Sequence, residues 1–509
     1  MDDRYARKWR ALIGISLLSF VGFMDYAIVN TILPGIQADL QATVSQLQWV
    51  MNAFFMMLAM FMVTMGRVGD IYGRRIVLYI GVLAFGVASA MAGISDSPGI
   101  LIAWRVVQGI SGAVTFTCAT SLVTNAFPQE EQGRAFGIFM SITAFGMAVG
   151  PVLGGFFMSF LSWRWAFYVN VPVIVLGFIL CHGAVSETER LKNEKVDWLG
   201  LCFLVPGIGC LITAIMQGNG WGWLSPIILA LFAVAIVAFG GFILVERRVA
   251  SPIIDLSLFR IPLFQLGIVA GIGIGGFIGI GSFLPPLFLM NIQGYEPYLA
   301  GLMLLPITGL VMILPPLVGR WVDSTGPLPF ILAGQFVLIL AALGQMLFVD
   351  TSPAWYVLVA LGLFGLSWGL QQGSVASAVT MALPPKSSGI AIGSLWTFWN
   401  VGSTVTLSIG GMILNVIDHS RLQSLMAGAN ISLTDQQQHV IRSLLSDPSR
   451  AEQALSQLPS DIASEITPLF HQSFMDGYSG AMIFSAALCA LTFLGTVILS
   501  RRVRAAAAD

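Results

Sequence analysis

The sequence predicts an all-α integral membrane protein with fourteen transmembrane helices, and three observations carry that expectation. Mean hydropathy is +0.85 over 509 residues. Only 10% of the residues are Asp, Glu, Lys or Arg, against roughly 25% in ordinary soluble domains, too few to clothe a soluble protein of this size. Stretches of about 20 apolar residues recur along the chain, each long enough to cross a hydrocarbon core of roughly 30 Å as a helix.

In chain order the candidate spans lie near 11–33, 47–66, 76–95, 99–125, 134–158, 165–184, 198–217, 224–245, 263–289, 298–318, 328–348, 354–380, 388–416 and 478–500. The first follows Arg4, Arg7, Lys8 and Arg10 as a signal peptide's core would. Its length and the lack of a small-x-small cleavage site favour an uncleaved first span. Lys and Arg set the direction. Nineteen of the 24 lie in the two tails and alternate loops, from Arg4 through Arg67, Arg74, Arg75, Arg134 and Arg320 to Arg504. Both termini are therefore expected at the cytoplasmic face. One long outer loop, near 417–477, carries helix-start signals such as "SLTDQQQ" and reads as a small, partly helical cap.

The five cysteines lie in apolar runs with no metal-ligand spacing and read as small buried hydrophobes. "GIGIGG" at Gly271 to Gly276 satisfies a dinucleotide-binding string. It lies inside span 9, with neither strand nor later ribose acid, so close helix packing is the better reading. The chain has no P-loop, zinc motif or G-x-S-x-G elbow. Enzymatic activity, a cofactor, a metal and a nucleic-acid partner are not expected.

Three constellations stand above this background. Asp25, in "FMDYAIVN", interrupts the first span, where an unmatched carboxylate costs several kcal/mol. Arg105, in "LIAWRVVQGISGA", is the one basic residue deep in any span. Counting helical rise from each end places both about 9 Å below the outer face. They read as a static ion pair or as a proton-coupling pair. "GRVGDIYGRR" (Gly66 to Arg75) joins spans 2 and 3. Gly66, Gly69 and Gly73 permit a tight turn, and Asp70 with Arg74 and Arg75 supplies opposed charges. It is either an ordinary basic loop or a gate that clasps two bundles. In span 5, "GMAVGPVLGG" repeats Gly146, Gly150 and Gly154 every fourth residue, with Pro151 and Gly155 beside them. That gives a smooth face for close helix approach and a bend.

In this order and on these spans, the three constellations resemble the major facilitator superfamily. The loop is similar to the signature G-x-L-a-D-x-x-G-R-R, with Val68 and Gly69 in place of Leu and Ala and Ile71 where a basic residue is frequent. "MDYAIVNTILP" (Met24 to Pro34), "WRWAFYVNVP" (Trp163 to Pro172) and "VDWLG" (Val196 to Gly200) resemble the fourteen-span drug:proton antiporter subfamily, and the span-5 glycines match its antiporter signature. "GRWVDSTG" (Gly319 to Gly326) echoes the loop after span 10, as an internal repeat would.

The resemblance implies a major facilitator fold: a six-helix bundle over 1–190, two inserted helices over 191–262, and a second six-helix bundle over 263–509. It implies a proton-coupled multidrug exporter of a bacterial inner membrane, with Asp25 and Arg105 coupling the proton and Asp25 facing a wet central cavity. The gate would comprise Gly66, Asp70, Gly73, Arg74, Arg75, Gly146, Gly150, Pro151, Gly154 and Gly155. The expected substrate wall is Asn30 and Gln108 from the first half, with Trp368, Gln371, Gln372, Trp396, Trp399 and Asn400 from the second. That is aromatic surface with amides and no carboxylate deep in a span of the second bundle, suited to small amphiphilic or hydrophobic compounds. Protons and the lipid bilayer are the other expected partners, and a periplasmic adaptor is left open. Two alternatives remain: a dedicated exporter of one endogenous metabolite such as an anionic siderophore, and a non-transporting scaffold or sensor.

Overall fold

Lipid offers no partner to a backbone N–H or C=O, so an apolar run that crosses it must satisfy its polar groups internally, as a helix does. A computed structural model describes residues 7–42, 44–188, 190, 197–249, 256–295, 297–383, 388–428 and 460–506, and its regular elements are all helices. They are α1 (Lys8–Leu40), α2 (Val44–Tyr72), α3 (Arg74–Gly93), α4 (Pro98–Asn125), α5 (Gln132–Phe160), α6 (Trp165–Tyr168) and α7 (Asn170–Cys181). Next come α8 (Trp198–Trp221), α9 (Pro226–Glu246), α10 (Pro262–Gly281), α11 (Leu284–Leu287), α12 (Pro297–Met303) and α13 (Leu305–Thr325). The last four are α14 (Leu328–Met346), α15 (Ala354–Met381), α16 (Ser388–Gly428) and α17 (Ser460–Ala506).

Thirteen segments among the described residues are long and apolar enough to cross a membrane. The fourteenth candidate, near 165–184, is met by a shorter apolar helical stretch, Trp165–Cys181. Helices α1–α7 pack on one another and α10–α17 on one another. The two sets touch along two seams, α5 on α13 and α2 on α16. Helices α8 and α9 pair, and α8 leans on both α2 and α16 beside the second seam.

The expected outer cap is corrected in part. Residues 417–428 continue α16 and 460–477 belong to α17, so much of the polar stretch prolongs two long helices. Hydropathy marks only the part of a helix that lies in lipid. The stretch 429–459 lies outside the described residues. The cysteines also divide: Cys118, Cys181 and Cys489 are buried, but Cys202 is exposed and Cys210 half-buried, both on α8. The glycines of α10 do serve close packing, since a Cβ at Gly275 would lie 2.5 Å from the Trp399 carbonyl oxygen.

Charged side chains finish the helix ends. On the face that carries the N-terminus, called the basic face below, Arg10 donates to the Leu180 and Ile179 carbonyls, each at 3.0 Å, and Arg7 to that of Gly183 at 2.9 Å. The Ile179 and Leu180 carbonyls are among the orphans that close α7, and cations there also complement the helix dipole. At the opposite face Arg164 and the Trp163 indole donate to Asp39 at the end of α1. Those hydrogen bonds hold the Asp39 carboxyl below the usual aspartate range.

Candidate functional site

Asp25 and Arg105 form an ion pair, and both are fully buried. Five helices of the first set converge on it. The Asp25 carboxylate accepts from Arg105 and Gln108 of α4 and from Asn170 at the start of α7, the last two at 3.3 and 3.2 Å. Asn170 also donates to Ser89 of α3 at 2.8 Å. Arg105 donates to the Val50 carbonyl of α2 at 3.0 Å and to Gln108 at 3.0 Å, and its guanidinium lies 4.3 Å from the centre of the Phe54 ring. Its Nη2 is buried with no hydrogen-bond partner among the described residues. A buried carboxylate keeps its charge only with this kind of company, a cation plus several donors.

The span-5 glycines stand behind the pair. A Cβ at Gly146 would lie 2.8 Å from the Phe20 carbonyl oxygen. One at Gly150 would lie 2.9 Å from the Ala27 Cβ, and one at Gly154 2.9 Å from the Thr31 Cβ. This stripe seats α5 directly on α1, on the stretch that carries Asp25. Gly155 faces open space, and the Pro151 side chain lies outside the described residues.

Asp25 does not face the cavity, which corrects the sequence expectation. Its neighbours Phe23 and Tyr26 do, together with Phe116 of α4 and Met62 of α2. Trp368 and Gln372 of α15 and Trp396, Trp399 and Asn400 of α16 face them across a narrow cavity of about 50 Å³. Gln108, expected on this wall, is instead bound into the Asp25 network. Gln371 is also off the wall: it is fully buried inside the second set, accepting from Gln335 at 3.0 Å and donating to Ser367 at 2.9 Å. The Asn30 side chain lies outside the described residues.

On the basic face the Gly66 to Arg75 stretch is not the glycine-rich turn expected: Gly66 and Gly69 lie inside α2, and only Gly73 separates it from α3. Asp70 accepts from Arg74 at 2.8 Å with both side chains buried. Gly73 takes φ +105°, and a Cβ there would strike the Glu187 carboxyl, 2.7 Å away. Glu187 accepts the N–H groups of Arg75 (2.9 Å) and Ile76 (3.3 Å), capping α3. The charge that visibly crosses between the helix sets is Asp323, at the end of α13. It accepts the N–H groups of Gly133 (2.8 Å) and Arg134 (3.2 Å) at the start of α5. Asp323 stands in the "GRWVDSTG" echo at the position Asp70 holds in the first loop. A buried acid of the C-terminal set, Asp418, lies in α16 beyond the expected end of span 13, accepting from Ser473 at 2.6 Å.

Sequence comparison decides the family. The Major Facilitator Superfamily profile matches residues 15–407. The chain belongs to that superfamily. It is 31% identical over 489 residues, 95% of this chain and 90% of the relative, to the multidrug resistance protein Stp of Mycobacterium tuberculosis (strain CDC 1551 / Oshkosh). It is 28% identical over 97% of this chain and 92% of the relative to the tetracenomycin C resistance and export protein of Streptomyces glaucescens. Among solved structures, the human organic anion transporter MFSD10 superposes with a TM-score of 0.62 at 14% identity, over 96% of this chain and 99% of that one. The proton:xylose symporter XylE superposes with a TM-score of 0.59 at 13% identity, over 96% and 95%. These two establish a shared major facilitator fold. The protein is a multi-pass membrane transporter of this superfamily, handling small-molecule substrates in a lipid bilayer.

Proposed function

We propose that this transporter is a proton-coupled exporter of toxic, drug-like compounds in a bacterial inner membrane, working by alternating access with both termini cytoplasmic. The single observation that carries the reading is the buried Asp25–Arg105 pair one residue away from the cavity wall. The names of the relatives, a multidrug resistance protein and a resistance and export protein, support the substrate class.

The coupling runs through α1. When Asp25 takes a proton, its charge disappears and Arg105 is left as a buried, uncompensated cation, which is costly. Arg105 then turns toward its remaining partners, Gln108 and the Val50 carbonyl, and its hold on α1 loosens. Phe23 and Tyr26 sit on the same helix and move with it, so proton state and cavity shape change together. Substrate and proton therefore communicate through the helix and do not compete for one carboxylate. Residues 1–190 and 263–509 are the rocking bodies, with α8 and α9 (191–262) beside their seam, and parallel repeats of this kind place the site between them. The assay is substrate-coupled proton flux in proteoliposomes under an imposed pH gradient. Accumulation of a toxic compound should rise with the gradient and vanish with a protonophore. Accumulation that ignores the gradient would refute proton coupling.

Asp70, with Gly73, Arg74 and Arg75, serves the gate on the basic face. Asp70→Asn should lower the transport rate several-fold while substrate affinity stays within about two-fold. Equal loss of both, by transport kinetics and binding on the same preparation, would contradict the assignment.

A further inference from the structure

We propose that the central cavity selects uncharged, flat aromatic compounds that carry carbonyl-type oxygens, in preference to lipophilic cations. The inference rests on the exporter reading only in taking this cavity as the substrate site. Three observations meet here. The wall is aromatic from both sides: Phe23, Tyr26 and Phe116 face Trp368, Trp396 and Trp399. The Phe23 and Phe116 rings lie 4.4 Å apart and those of Trp396 and Trp399 5.3 Å apart. Phe116 and Trp396 approach to 6.0 Å across the seam. Second, no Asp, Glu, Lys, Arg or His lines the space among the described residues. The nearest acid along α1, Asp25, is turned away and already matched by Arg105.

The third observation points to the ligand. Trp368 Nε1, Trp396 Nε1 and Gln372 Oε1 are all buried and have no hydrogen-bond partner among the described residues. The three residues are 8%, 7% and 5% exposed. A buried donor without an acceptor is costly, and whatever supplies the acceptor recovers that cost. Two wall residues thus bring indole N–H groups that lack an acceptor and lie covered in this conformation, and Gln372 brings an amide oxygen that lacks a donor. A planar ring system with carbonyl oxygens on its edge stacks on the indoles' neighbours and meets the N–H groups as the cavity opens around it. A lipophilic cation gains cation–π contact here. It leaves the N–H groups unmatched and enters without a counter-charge, which is the dearer exchange.

Calorimetry on the purified transporter in lipid nanodiscs tests this with three probes: an uncharged anthraquinone, anthracene of the same outline without oxygens, and tetraphenylphosphonium. The anthraquinone should bind at least about ten-fold more tightly than either. Trp368→Phe and Trp396→Phe keep a ring and remove the N–H, so each should cut the preference for anthraquinone over anthracene about five-fold. Because ratios are compared within each variant, a general loss of packing cancels. Gln372→Glu supplies the missing negative charge and should reverse the preference toward the phosphonium. Tightest binding of the phosphonium by the unaltered protein, or an unchanged ratio in both Trp variants, would overturn the proposal. Binding needs no pH gradient. A protein that discriminates as expected yet drives no gradient-dependent transport would remove the exporter reading and leave this one standing. Gradient-driven export of the phosphonium without discrimination would do the reverse.

Discussion

Asp25→Asn should abolish export driven by a pH gradient, lowering it at least ten-fold, while substrate binding stays near its original level. Asparagine occupies the same volume, and its side-chain oxygen can still accept from Gln108 and Asn170, which hold Asp25 at 3.3 and 3.2 Å. What it lacks is a proton to exchange and a charge to offset Arg105. Removing one partner of a buried pair costs about 3–5 kcal/mol, so the variant should also melt earlier. The double variant Asp25→Asn with Arg105→Gln separates the two effects. Without either charge the thermal stability should largely return, because an absent pair is cheaper than a broken one. Gradient-driven export should remain absent. Asp25→Glu keeps the carboxyl on a longer arm and should retain part of the activity. If Asp25→Asn still concentrates substrate at the expense of the proton gradient, the carrier lies elsewhere and the pair is only structural. The readouts are gradient-driven uptake into inverted vesicles and thermal unfolding of the same preparations.

The legible part of this protein was the part that lipid dictates. Runs of about 20 apolar residues must become helices in a bilayer, so the spans could be counted without knowing any contact. The depth of Asp25 and Arg105 followed from helical rise alone, and the two do pair. Direction within the bundle was harder. Asp25 was expected at a wet cavity, but the helix turns Phe23 and Tyr26 there and Asp25 inward. A usable signal for Gln108 existed, since residues three apart share one helix face and Arg105 sets that face. Asn170 reaches the carboxylate from a distant helix with Ser89 behind it, and Glu187 caps α3 from beyond α7. No periodicity encodes such partners. The outer stretch misled for the opposite reason: α16 and α17 stay helical well past the hydrophobic part of each run.

Gly137→Leu should hold the transporter open toward its basic face and lower export at least ten-fold. A Cβ at Gly137 would lie 2.6 Å from the Pro315 carbonyl carbon and 2.7 Å from the Pro316 Cα, backbone atoms that cannot rotate aside. The whole α5–α13 seam must then part. The other seam repeats the device. Gly66, Arg67 and Asp70 recur in register as Gly319, Arg320 and Asp323, and Gly133-x-Ala135-x-Gly137 recurs as Gly389-x-Ala391-x-Gly393. A Cβ at Gly393 would lie 3.0 Å from the Met62 carbonyl oxygen and 3.1 Å from the Val63 Cα, the α2 positions that correspond to Pro315 and Pro316. Gly393→Leu should therefore give the same phenotype from the other side of the molecule. Both glycines meet the opposite helix set and not their own, so each half should still fold, as size-exclusion and thermal profiles would report. Ser377 and Thr380 line the groove between the sets beside Asp323, and a cysteine placed at Thr380 reads the outcome. In either glycine variant it should react faster with a water-soluble maleimide from the basic face, while the substrate still binds from that side. Normal export by Gly137→Leu would mean that these helices do not close against each other in the working cycle.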